Sequence, residues 1–151
     1  MRSNLRSQKG FTILETLVAA GVSGALLAAA LPNLSTALSA SRLQAGLRST
    51  AQHVRLARAT AVGKNLQSRV VVSENGATLT TQVLRNGTWT SSGIPLVFAD
   101  GTRVSSVSPS ASALTFTSQG TTSGAVTITL RTAAGDSRSL TVSLLGAVEA
   151  S

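Results

Sequence analysis

The chain has no cysteine and no tyrosine, a single histidine, a single tryptophan and only 5 acidic residues. The lack of cysteine excludes disulfide staples, thiolate zinc sites and cysteine nucleophiles, and leaves the redox compartment open. His53 has no second histidine or cysteine near it, so it is expected on an exposed or interface position of a helix and not as a metal ligand. With so few acids, convergent general acid and base groups are not expected, and the chain is read as a non-enzyme without cofactor or metal. The glycines of SQGTTSG have no phosphate-binding lysine beside them, so that stretch reads as a loop, as do the serine-rich runs 105–112 and 118–124.

What the chain has in surplus is positive charge, 13 Lys and Arg, for a net charge of +8. That balance favours anionic partners, nucleic acid or acidic lipid headgroups. Three of the cations, Arg2, Arg6 and Lys9, lie ahead of an apolar run from Phe11 to Leu31 whose single charge is Glu15. A helix of about 20 apolar residues matches a hydrocarbon core of about 30 Å. The positive-inside bias then keeps residues 1–10 in the cytoplasm and sends the rest across. A secretory signal peptide begins in the same way, but its apolar core is shorter and ends at a small-residue cleavage site. Here the helical character continues through LPNLSTALSASRL. A carboxylate inside a membrane helix costs about 2.5 to 3.5 kcal/mol on insertion scales, so Glu15 calls for a partner.

The segment Lys9-Gly10-Phe11-Thr12-Ile13-Leu14-Glu15 resembles the N-terminal signal of type IV prepilins and pseudopilins. The resemblance implies that a prepilin peptidase cuts between Gly10 and Phe11 and methylates Phe11. It also implies that Glu15 serves filament assembly by neutralising the terminal amine of a neighbouring subunit. The two charges are costly to bury singly and less so as a pair. Pro32 removes a backbone donor and clashes with the preceding turn, so a kink is expected there, or the end of one helix and the start of another.

Beyond Pro32 a helical stripe runs through Leu43, Leu47, Ala51, Val54, Ala57 and Ala61 and is expected to pack on a sheet. Arg42, Arg48, Arg55 and Arg58 fall largely outside it, on a solvated or subunit-contacting face. Gly63, Lys64 and Asn65 provide a stop. The stretch Val54 to Asn65, VRLARATAVGKN, is similar to the end of the first helix in the GspH/FimT family of pseudopilins and minor pilins, with Thr60 where that family commonly has an acid.

Three dipeptides then suggest type I′ hairpins: Asn75-Gly76, Asn86-Gly87 and Asp100-Gly101. Period-two alternation follows at Leu114 and Phe116, at Val126, Ile128 and Leu130, and at Leu140, Val142 and Leu144, so one face of an antiparallel sheet is buried. The segment from Leu114 to Ser151 also looks like the C-terminal half of GspH/FimT domains. Trp89, just after a hairpin turn, is expected to cover the edge of a small core or, less favoured, to stack on a base or partner.

The expected fold is α+β and pilin-like: a long N-terminal helix against an antiparallel β domain. Its parts are a leader at 1–10, a membrane and filament-core helix at 11–31, the outer half of the helix at 32–65, and the β domain at 66–151. The resemblance implies a minor pilin that helps initiate or cap a type IV pilus, or the minor pseudopilin of a type II secretion system. Its partners would be other pilins or pseudopilins, the prepilin peptidase, an inner-membrane assembly platform and, before assembly, membrane lipid. It would start in the bacterial inner membrane with its N-terminus cytoplasmic and its β domain periplasmic or external, then pass to the pilus or pseudopilus. DNA is the remaining partner considered, through Arg103, Arg131 and Arg138, with Arg69 and Arg85 in addition. It is not favoured, because Gly146-Ala147-Val148-Glu149 stands where DNA-uptake relatives carry a basic tail.

Overall fold

The computed structural model describes residues 12–98, 101–109 and 113–150, without the side chains of residues 29–33. Gly10, Phe11 and the side chain of Pro32 therefore lie outside the described residues. The chain forms two compact units, residues 1–37 and 38–151. One helix, α1 (Ile13–Lys64), contributes to both, and position 32 lies within it instead of between two helices.

In the first unit, Thr12 sets the start of α1. Its hydroxyl accepts a hydrogen bond from the Glu15 backbone N–H at 3.3 Å, and its carbonyl accepts one from Thr16 at 3.1 Å. This is the arrangement of a capping threonine with an acid three residues on, and that acid faces the positive end of the helix dipole. Among the described residues no helix is long and apolar enough to cross a membrane. Of the apolar run expected to do so, Phe11 to Leu31, Phe11 and the side chains of residues 29–31 lie outside the described residues.

In the second unit, α1 ends in a left-handed cap. Asn65 has φ 51°, the Leu66 N–H donates to the Ala61 carbonyl at 3.1 Å, and the Asn65 N–H donates to Val62 at 3.2 Å. These paired bonds satisfy carbonyls that a helix end leaves open. The stop is thus made by Asn65 and not by Gly63.

Among the described residues nine strands follow: β1 (Ser68–Val72), β2 (Thr78–Arg85), β3 (Thr88–Ser91), β4 (Leu96–Val97), β5 (Thr102–Ser108), β6 (Ala113–Phe116), β7 (Val126–Thr132), β8 (Ser137–Val142) and β9 (Val148–Ala150). They make two antiparallel sheets. The first is five-stranded, β3-β2-β1-β6, with the short β4 also pairing with β2; the second is four-stranded, β5-β7-β8-β9. Inward positions alternate along the central strands, as β2 (Leu79, Thr81, Val83) and β7 (Val126, Ile128, Leu130) illustrate.

Both sheets share one core with α1. All six residues of the predicted helical stripe are buried, and they join Val70, Leu79, Phe116, Ile128, Leu130 and Leu140 in a single cluster. A polar tie crosses the seam, where the Ser68 hydroxyl donates to the Ala57 carbonyl at 2.7 Å, while buried Thr50 satisfies its hydroxyl within the helix by donating to the Gly46 carbonyl at 2.8 Å. Gly46 allows the helix to approach the second sheet closely, since a Cβ there would stand 3.3 Å from Leu130 Cδ2 and from Thr102 Cγ2.

Two of the three expected turns need correction. Asn86 and Gly87 both take positive φ, 49° and 77°, so the β2–β3 link is the expected type I′ turn. At β1–β2 only Gly76 is left-handed, and the Gly76 N–H closes a turn onto the Ser73 carbonyl at 2.8 Å, so the hairpin exists with a different turn. Asp100 lies outside the described residues, and the strands on either side of Asp100-Gly101 do not pair with each other: β4 pairs with β2 in the first sheet and β5 with β7 in the second. A dipeptide that tolerates positive φ also suits a crossing between sheets. Leu144 lies past the end of β8 and is exposed, so the last alternation stops at Val142.

Candidate assembly site

The first turn of α1 gathers the residues expected to act in assembly. Glu15 is exposed and lies one turn from the start that Thr12 caps, and Ile13, Leu14, Leu17 and Val18 around it are exposed too. Among the described residues these apolar side chains pack against no other element of their unit, which suits lipid or the helices of other subunits. Gly10 and Phe11, where cleavage and methylation are expected, lie outside the described residues.

Several cations of the second unit take distinct settings. Arg103 and Arg131 are direct cross-strand partners, both exposed, whereas Arg138 pairs with Leu130 and so belongs to the other parity of the sheet. The fold brings two of the three candidate DNA-contacting arginines together and leaves out the third. Arg69 is tied down instead: its Nε donates to Gln82 Oε1 at 2.8 Å, and its guanidinium lies 4.3 Å over the Trp89 ring. The tryptophan face is therefore covered by a cation of its own chain, an arrangement worth about 0.5 to 1 kcal/mol at exposed sites.

Arg58 is the third case, and here the expectation of a solvated or subunit-contacting side chain is overturned. It is half-buried, its Nε donates to the Gly120 carbonyl at 3.0 Å, and it lies directly against Gly146. Gly120 and Gly146 both have positive φ, 77° and 74°. Arg58 thus joins the helix to two turns, one between β6 and β7 and one between β8 and β9. Periodicity marks a position as off the apolar stripe without saying that a carbonyl awaits it; the pairing of LAR with two distant glycine turns was the available signal.

His53 is half-buried, its Nε2 is 3.0 Å from the Thr81 hydroxyl, and burial lowers its pKa below the usual histidine value. Among the described residues no group of histidine, cysteine and carboxylate side chains could hold a metal ion.

Comparison with known proteins agrees with this geometry. The model of the family described as type II transport protein GspH matches residues 34–146, and a prokaryotic N-terminal methylation motif matches residues 5–31. Among solved structures, the type IV minor pilin FimU of Pseudomonas aeruginosa is similar at a TM-score of 0.63 and 21% identity, over 74% of this chain and 89% of that one. The minor pseudopilin EpsH of the type 2 secretion system of Vibrio cholerae is similar at a TM-score of 0.60 and 14% identity, over 73% of this chain and 96% of that one. At these identities the likeness is one of fold. No curated protein matches the sequence.

Proposed function

Because the chain belongs to the GspH family, we propose that it is a minor pilin, a structural subunit that helps initiate or cap a type IV pilus. The observation that carries this reading is the helix start, where Thr12 caps α1 and Glu15 stands exposed in its first turn, within a matched methylation motif. Cleavage after Gly10 would leave a cationic amine on Phe11, to be methylated there. Glu15 would then neutralise that amine on the adjoining subunit as two apolar helices slide together in lipid. Before assembly the helix would hold the chain in the bacterial inner membrane with its β domain outside the cytoplasm, and Pro32 would bend the helix between its two halves. Cleavage and methylation would be the work of a prepilin peptidase, and this chain itself would carry out no chemistry.

The close alternative is a minor pseudopilin of a type II secretion system, which uses the same helix and the same acid. Pro32 and the PNLSTALSASRL continuation favour the pilus. Deleting the gene separates the two: loss of surface pili with protein secretion intact supports the minor pilin, and loss of secretion with pili intact supports the pseudopilin.

A further inference from the structure

On one side of the outer half of α1, a groove lies between the helix and the loop that carries β4. Two depressions of about 230 and 280 Å³ meet at Ser49 and Leu96, so the groove is continuous. On the helix side it follows Arg42, Ala45, Ser49, Gln52 and Leu56, spaced three and four apart and therefore on one face. From Arg42 to Leu56 the rise is roughly 20 Å, about four turns.

The chemistry of this groove is specific. Its floor is small at Ala45 and Ser49, which lets another backbone come close. Its rims are aliphatic and bare: Ile94 is 89% exposed, Val97 69% and Leu56 60%. Thr102 lines it as well, and among the described residues its hydroxyl is the one buried side-chain polar atom without a hydrogen-bond partner. A straight trough of this length, with a small floor and aliphatic rims, accepts an amphipathic helix with apolar residues at i, i+3, i+4 and i+7.

Charge decides which helix. Arg42 lines the groove, Arg48, Arg55 and Lys64 are exposed on the same helix while Arg58 is turned to Gly120, and residues 38–64 hold no acid. A second copy laid helix to helix would oppose cation to cation, and like charges across an interface are costly. A helix bearing Asp or Glu beside its apolar stripe meets the opposite sign.

Resting on the reading of the chain as a filament subunit, we propose that this groove docks a carboxylate-bearing amphipathic helix of a different subunit. It would set which neighbour this chain accepts, and the same charges would keep it from stacking on itself.

The test uses the full chain in the cells that make it, with a benzophenone amino acid at Val97 and, as a control on the outer face of the first sheet, at Thr80. Adducts formed under light are mapped by mass spectrometry. Val97 is expected to mark a helical segment of another filament subunit that contains Asp or Glu, and Thr80 is not. Filling the floor with Ala45→Trp should lower the adduct at least tenfold, and Arg42→Glu should lower it several-fold; both positions are exposed, so the domain keeps its core. Adducts only to a second copy, adducts only to lipid, or an adduct indifferent to both substitutions would overturn the proposal. Failure of the wider reading is distinguishable: the chain would then be unprocessed, whereas a processed, assembled chain with no such adduct defeats the groove alone.

Discussion

Arg58 on the helix donates from its Nε to the carbonyl of Gly120, 62 residues away, at 3.0 Å. The same side chain fills the space beneath Gly146, where an added Cβ would stand 2.7 Å from Arg58 Nε and 2.5 Å from the Gly120 oxygen. One cation thus fastens the helix to the link between the two sheets and to the β8–β9 turn, and neither glycine has room for a side chain. Replacing Arg58 by Ala removes a charge-assisted bond to a half-buried carbonyl and should cost about 1 to 3 kcal/mol. Gly146→Ala adds left-handed strain to a steric clash and should cost on the order of 3 kcal/mol. Urea unfolding of each variant checks both figures, and equal stability of Gly146→Ala and the parent would contradict the clamp.

A second expectation concerns Arg103 and Arg131, which face each other across β5 and β7. Like charges directly opposite destabilise a sheet by about 0.2 to 1 kcal/mol. Arg131→Thr should therefore raise the unfolding midpoint slightly in low salt and do less in high salt, where the repulsion is screened. If this pair instead serves DNA, the parent protein shifts duplex DNA at low salt and the variant does not; we expect no shift from either.

The buried histidine makes stability depend on pH. Burial lowers the pKa of His53 in the folded chain below its ordinary value of 6.5, so the unfolded chain binds the extra proton first. Between the two values stability rises with pH: it is full above about 6.5 and is lost as pH falls toward the folded value. His53→Gln should flatten this slope in chemical unfolding between pH 7.5 and 5. An unchanged slope would place the acid sensitivity elsewhere.

Glu15 is expected to act in assembly and not in insertion. Glu15→Ala should leave the chain in the membrane fraction and abolish its recovery in sheared filaments, and Glu15→Gln, which keeps the shape without the charge, should do the same. Normal recovery of the glutamine variant would show that the charge is not what matters.

Much of this architecture could be read from residue order, and the exceptions have physical causes. The stripe from Leu43 to Ala61 was legible because burying one face of a helix imposes a 3.6-residue rhythm, and all six of its members are in the core. The alternation in β7 was legible for the same reason at period two. Asn86-Gly87 was correctly read as a type I′ turn because only that geometry needs positive φ twice. Asp100-Gly101 misled, since its tolerance of unusual φ says where a chain can turn and not which strands pair afterwards. Arg58, Gly46 and the groove beside β4 could not be read locally: each depends on elements brought together from distant parts of the chain. For the assembly site, Glu15 stood out by its charge in an apolar run, while the cap by Thr12 was present in the T-x-x-E spacing and was missed.

The mature N-terminus tests the central claim most directly. Mass spectrometry of the protein isolated from its membrane or filament should find a chain that begins at Phe11 and carries one additional methyl group on its amine. A chain that still begins at Met1, or one cut beyond residue 31 so that its apolar helix is gone, would contradict the account.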